Sequence, residues 1–315
     1  MTKLPVSDHF QLEQIAEGVY AALASDLGGA YSNAGIVDLG GATLVFDTMA
    51  TPQAAQDLRA AAEVLTGRSA RWVVNSHFHS DHWLGNQVFA DTTIIATHKA
   101  RKAMPEGIAY VREFQEEPTE FEQLLREEEE AAAAETDPVR RAAMQRGNAQ
   151  ARHLLAALPT LALHLPDQTF HGRLNFYGPA RQATLIAPGP GHTSGDAYLL
   201  LPAEGIVFTG DLCFFASPPY MGNCEPQAWL SRMNRLEQHA AATYVPGHGP
   251  LGMGVDIARQ RQYIVKMEEM VAQGVEAGDS LEQLQEQPLP KGFADWAGSL
   301  NRARANIEFL YKRRV

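Results

Sequence analysis

The stretch "WVVNSHFHSDHWLGN", residues 72–86, constrains this chain more than any other. Three histidines and an aspartate fall within six residues, directly after an apolar run. In an extended segment, side chains at i and i+2 point the same way, so His77 and His79 can both reach one metal ion. Asp81 and His82 stand just beyond, where the chain turns into a short helix, and can face a second ion. Imidazole suits zinc and similar ions, and a carboxylate adds charge neutralisation.

A two-metal site needs more ligands than these four. Three later places offer them. "PGPGHTSGD" supplies His192 in a glycine-rich loop after an apolar strand, "IVFTGDLCF" supplies Asp211 at a strand end, and "TYVPGHGP" supplies His248 just past a strand. All three stand at strand ends, where functional loops collect.

The rest of the chain reads as two blocks of strands, each followed by helices. "GVYAALAS", "SNAGIVDLG" and "TLVFDT" are short apolar runs, punctuated by Gly28-Gly29 and Gly40-Gly41 as turn signals. Thr51 and Pro52 start a helix in the cap and N1 positions. "LALHL", "QTFHG", "RLNFYG", "ATLIAP", "AYLLLP" and "GIVFTGD" read as later strands, followed by a helix from Pro226 to about Ala241. Between the blocks, residues 105–158 are rich in alanine and acidic side chains, and Asp137-Pro138 is a second helix start. This region reads as a helical insertion, either a solvated scaffold or a wall beside the site. The tail, about 254–315, is helical: Ile257, Ile264 and Val271 recur at heptad spacing, and Leu300, Ile307 and Leu310 mark a last helix. The expectation is one α/β domain over 1–315, with two packed sheets and helices outside.

Composition narrows the partners. The formal net charge of −11 disfavours nucleic acid, because an acidic surface repels phosphate backbones. No window is apolar for long enough to span a bilayer, and residues 1–18 lack a secretory apolar core. The two cysteines, Cys213 and Cys224, fit a reducing compartment. A small-molecule substrate and a cytoplasmic location are expected; oligomeric state is not legible.

The ordered set HFHSDH, GHTSGD, TGD and PGHG resembles the metallo-β-lactamase-fold superfamily, over about residues 18–252. The resemblance implies a four-layer αβ/βα sandwich of two mixed sheets, with a dinuclear site along one edge. It implies that His77, His79 and His192 hold one metal, that Asp81, His82 and His248 hold the other, and that Asp211 bridges. Asp211 stands where the best-known lactamase subclass carries a cysteine ligand, so the complete set is more similar to the glyoxalase II branch and related hydrolases. The cofactor expected is a pair of divalent ions, zinc foremost, with iron or manganese as alternatives.

Such a pair can share a water and bring its pKa to about 7, which makes a metal-bridging hydroxide the nucleophile. Asp81 then orients and neutralises as a catalytic carboxylate. The expected reaction is hydrolysis of a small carbonyl substrate: ester, thioester, lactone or lactam. Two alternatives stand beside it, a phosphodiesterase or nuclease on the same site and a metal-dependent oxidoreductase such as a sulfur dioxygenase. Tyr31 and Asn33, in an early loop, are substrate-binding candidates with turn chemistry as the competing reading. Phe214 and Tyr220, in the aromatic segment after Asp211, are candidates for a substrate wall. Arg302, Arg304, Lys312, Arg313 and Arg314 make the tail basic without forming a clear glutathione-type cluster.

Overall fold

Short runs of β-branched, aromatic and small apolar residues build two sheets. The computed structural model describes residues 3–293, 296 and 300–315, with the backbone alone at 300. The first sheet has seven strands in sequential order: β1 (Phe10–Ala16), β2 (Val19–Ala24), β3 (Ala34–Asp38), β4 (Thr43–Phe46), β5 (Ala70–Val74), β6 (Thr93–Thr97) and β7 (Gln168–Phe170). Its first four strands are antiparallel and its last four parallel, with β4 common to both runs. The second sheet comprises β8 (Arg173–Tyr177), β9 (Gln182–Ile186), β10 (Tyr198–Leu201), β11 (Ile206–Phe214) and β12 (Thr243–His248), in the order β12-β11-β10-β9-β8. Only β11 and β12 pair in parallel there. Both sheets are therefore mixed, as the family resemblance implied.

Between the sheets, Val37, Leu44, Phe46 and Val74 from one face meet Leu185, Leu199, Phe208 and Val245 from the other. The parallel step from β4 to β5 is made by α1 (Pro52–Thr66), where Thr51 Oγ1 accepts from the Ala54 N–H and Pro52 occupies the first turn. Its Leu58 and alanines cover the outer face of the first sheet. Four helices separate β6 from β7: α2 (His98–Gly107), α3 (Ala109–Glu116), α4 (Pro118–Ala134) and α5 (Pro138–Ala157). After β11 come α6 (Pro226–Glu237), α7 (Gly254–Ala277), α8 (Leu281–Gln285) and α9 (Leu300–Lys312). Trp229 and Met233 of α6 and Ile257, Ile264 and Val271 of α7 bury against the second sheet's outer face, and Ile307 and Leu310 of α9, packed on α7 and α8, complete the same cluster. The Leu300 side chain lies outside the described residues. The layers are thus helix, sheet, sheet, helix.

Three local readings change. The segment 10–16 pairs as β1 although only Phe10 and Leu12 are buried on it, too short an alternation to stand out. Residues 161–165 do not pair; they lie before Pro166, and Leu161, Leu163 and Leu165 pack into the insertion's own apolar cluster instead. The insertion's helices begin at His98, where Thr97 Oγ1 caps the Ala100 N–H. No described helix is long and apolar enough to cross a membrane.

Candidate metal centre

All seven predicted ligands converge on one edge of the sandwich. The chain leaves β5 and bends over residues 77–79, with His79 itself extended, then closes a short 3₁₀ turn over Ser80–His82. His192 sits in the loop between β9 and β10, Asp211 lies within β11, and His248 ends β12. Because β11 and β12 are parallel neighbours, Asp211 and His248 approach from the same end of the sheet. Gly247 makes that approach possible: a Cβ there would lie 1.9 Å from Asp211 Oδ1.

The side chains form two groups. His77, His79, His192 and Asp211 place one ligand-type atom each within 4.8 Å of one another, and Asp81, His82 and His248 do the same. Asp211 faces both. Its Oδ2 lies 3.6 Å from His77 Nε2 and 3.3 Å from His192 Nε2, while its Oδ1 lies 3.1 Å from His82 Nε2 and 3.4 Å from His248 Nε2. Asp81 Oδ2 closes the second group, 3.2 Å from His248 Nε2 and 3.5 Å from His82 Nε2.

Hydrogen bonds outside the centre fix which nitrogen points inward. His79 Nε2 meets Asn223 Oδ1 at 2.9 Å, and an amide oxygen only accepts, so Nε2 carries the proton and Nδ1 presents a lone pair. His82 Nδ1 donates to Asp47 Oδ2 at 2.7 Å, and His77 Nδ1 meets Ser76 Oγ at 2.9 Å. These contacts leave Nε2 of both rings for the interior. Inside, His77 Nε2, His82 Nε2 and Asp211 Oδ1 are buried without a hydrogen-bond partner. Buried polar atoms in that condition cost about 1–3 kcal/mol each, a cost that an ion held between them removes. The donor set of imidazoles and carboxylates fits a divalent ion of the zinc, iron or manganese kind.

The two groups differ in charge. Burial holds His77 and His192 well below the usual imidazole range, and it lowers His79 as well. Burial acts the same way on His82, but Asp211, Asp81 and Asp47 override it and hold that ring well above the usual range. His248 is pushed up to about 9, burial again being outweighed by Asp211 and Asp81. The Asp211 carboxyl stays well below the usual carboxylate range, because His82 and His248 more than offset its burial.

Asp47 is the main functional residue that motif reading missed. It directly follows β4, within the "TLVFDT" run, with φ 61°, an unusual backbone for a residue with a side chain. The carboxylate over-determines that conformation by accepting from Ser76 N at 2.7 Å, Ser76 Oγ at 2.8 Å and His82 Nδ1. A buried acid at a strand end was the available signal. Asn86 braces the motif: it exchanges hydrogen bonds with Asn75 and accepts from Thr48 Oγ1. Thr193 and Asp196 lock the His192 loop through bonds of 3.0 and 3.1 Å from the Thr193 N–H.

A cleft of about 530 Å³ opens on the centre. Phe214 and Tyr220 border it, and Phe214 stacks on the His248 ring at 4.9 Å. Tyr31 and Asn33 do not border it. Asn33 Oδ1 accepts from Ala24 N, and its Nδ2 donates to Pro246 O and Gly249 O at 2.9 Å each. The Tyr31 hydroxyl donates to Gln150 O. With Ser32 Oγ donating to Asp81 O at 2.6 Å, this early loop braces the ligand segments rather than the cleft. Burial of all three polar groups needs partners from distant loops, which turn chemistry at 31–33 does not reveal. The insertion supplies one wall through Glu106, Gly107 and Tyr110, whose hydroxyl meets Ser80 Oγ at 2.6 Å. Asn223 and Arg302, both absent from the expected site, complete the opposite rim's polar groups.

A mixed-sheet αβ/βα sandwich with a histidine–aspartate centre at its edge defines a class of metal-binding proteins. The family model described as the metallo-beta-lactamase superfamily matches residues 27–248, and the chain belongs to that superfamily. Among solved structures, a metallo-beta-lactamase from Pontibacter korlensis is similar at TM-score 0.58 and 16% identity, over 81% of this chain and 99% of that one. A metallo-beta-lactamase from Erythrobacter litoralis with beta-mercaptoethanol in its active site is similar at TM-score 0.57 and 19% identity, over 82% and 98%. The metallo-beta-lactamase FIM-1 from Pseudomonas aeruginosa, in its mono-zinc form, is similar at 0.57 and 17%, over 84% and 98%. At these identities the likeness shows the fold. No curated protein matches the chain.

Proposed function

We propose that this protein is a dinuclear metal-dependent hydrolase of a small carbonyl substrate, an ester, thioester, lactone or lactam. Superfamily membership and the histidine–aspartate clusters support a metal-dependent hydrolase. The observation that carries the finer reading is Asp211, whose two carboxylate oxygens face two separate ligand groups beside an open cleft.

Divalent ions, zinc foremost and iron or manganese next, would supply Lewis acidity and an acidified water. His77, His79 and His192 would hold one ion, Asp81, His82 and His248 the other, and Asp211 both. Asp47 and Asn223 hold ring protons at His82 Nδ1 and His79 Nε2, so the inward nitrogens stay free to ligate. Asp81, beside the cleft, orients and neutralises. Phe214, Tyr220 and the insertion's Tyr110 restrict water and shape the mouth.

A phosphodiesterase reading is disfavoured by the net charge of −11. A mononuclear oxidoreductase leaves Asp81, His82 and His248 without a role. The two buried free thiols, Cys213 and Cys224, support a cytoplasmic location.

The test pairs elemental analysis with a panel of p-nitrophenyl ester, thioester, lactone, β-lactam and bis-p-nitrophenyl phosphate. We expect two equivalents of metal per chain and turnover on a carbonyl substrate that is lost to a chelator and restored by zinc, iron or manganese. Turnover confined to the phosphodiester, or none restored by any of these ions, would overturn the proposal.

A further inference from the structure

The family match ends at residue 248, yet the polar rim of the cleft is completed by a residue beyond it. Arg302 of α9 borders the same cleft as His79, Asp81, Asp211 and His248. Its guanidinium carbon lies 5.7 Å from the centroid of Phe214, the ring on which His248 stacks. A guanidinium offers five N–H donors in a planar fork. Among the described residues Arg302 makes one hydrogen bond, a long contact of 3.3 Å to Pro218 O, and no ion pair. Burial lowers its pKa while Asp211 and Asp81 raise it, so the group feels the centre's carboxylates across the cleft.

A purely structural role explains this placement poorly. The segment after β11 is already tied to α9 by Asn306, whose Oδ1 accepts from Met221 N at 2.9 Å and whose Nδ2 donates to Pro219 O at 2.7 Å. Asn306 stands one helical turn from Arg302, on the same face. The tied segment also contributes Tyr220 and Asn223 to the lining of the same cleft. Arg302 thus sits on a braced wall, half-buried, with most of its donors unengaged. The other tail cations do not share this position: Lys312 pairs with Glu308 and Arg313 with Glu225. Glu106 borders the cleft from α2, and no ion pair joins it to Arg302.

We infer that Arg302 is a specificity residue that holds a carboxylate carried by the substrate, at a distance from the bond that is cleaved. Its planar fork matches a carboxylate in two parallel hydrogen bonds, and the low local dielectric strengthens such a pair. The inference rests on the hydrolase reading and narrows its substrate class to carbonyl compounds that bear a second, anionic end.

The experiment compares zinc-loaded wild-type protein with Arg302→Gln and Arg302→Lys, after thermal melts establish that each variant folds. Calorimetry measures glutarate, which has two carboxylates, against butyrate, which has one. Turnover is measured in parallel on p-nitrophenyl hydrogen glutarate and p-nitrophenyl butyrate. Wild-type protein should bind glutarate about 10- to 100-fold more tightly than butyrate, and Arg302→Gln should erase that preference. For the glutarate ester KM should rise with kcat little changed, while the butyrate ester is unaffected; Arg302→Lys should fall between. Equal binding of glutarate and butyrate by wild-type protein, or a preference that survives Arg302→Gln, overturns the inference and leaves the hydrolase reading intact. Inorganic phosphate bound more tightly than glutarate, with the same dependence on Arg302, overturns the carboxylate assignment. Arg302-dependent glutarate binding without turnover on any carbonyl substrate overturns the hydrolase reading alone.

Discussion

The two halves of the centre are built from the same residue types and behave differently. Around His77, His79 and His192, burial dominates and the rings are held neutral, ready to present lone pairs. Around His82 and His248, three carboxylates dominate and the rings hold protons. The difference lies in neighbours: His82 has Asp47 behind it and Asp81 and Asp211 before it, whereas His79 has a neutral amide behind it. Ligand identity alone therefore does not set the charge of the two groups. An ion entering the first group displaces few protons, and one entering the second must displace more, so the second site should fill later and depend more steeply on pH.

Asp211 joins the halves, and its removal is the severest test of the comparison. If the proposed dinuclear hydrolysis holds, Asp211→Ala should weaken both ions and lower turnover by about 10³-fold or more, because the ions that would acidify water lose their shared carboxylate. Metal analysis and kinetics on one preparation check this. Retention of two ions with full turnover would mean that the halves are not linked through this carboxylate.

Asp47→Asn sharpens the comparison. It should weaken the second ion about 10- to 100-fold and the first less, since Asp47 meets His82 directly and His77 only through Ser76 Oγ. Chelator competition resolves the two affinities. Equal weakening of both would show that the halves share one support.

The smallest effect is on stability. In metal-free protein the His248 pKa, about 9, lies above its unfolded value of roughly 6.5. Protonation of that ring stabilises the fold fully below about pH 6.5, and this contribution is lost as pH rises through 9. The melting temperature of chelated protein should thus fall by about 5 °C from pH 6.5 to 9, and that of metal-loaded protein should change less. Parallel curves would contradict the charge difference between the halves.

Local pattern determined a good deal. His77 and His79 directly after an apolar strand, and His192, Asp211 and His248 in short glycine-containing stretches, are features of a few consecutive residues, so these side chains and, through the family resemblance they carry, the fold class were legible in order; only His248 ends its strand, Asp211 lying inside β11 and His192 in a loop. Tertiary structure alone decided what stands behind each ring. Asp47 meets His82 across 35 residues, Asn223 meets His79 across 144, and Arg302 reaches Pro218 across 84. Such partners are chosen by how sheets and loops pack, and a single chain carries no local signal for a contact of that separation. The same reason moved Tyr31 and Asn33 from the cleft to the bracing of distant loops. Sequence specifies which atoms can ligate; packing specifies their tautomers, their charge and the wall that a substrate meets.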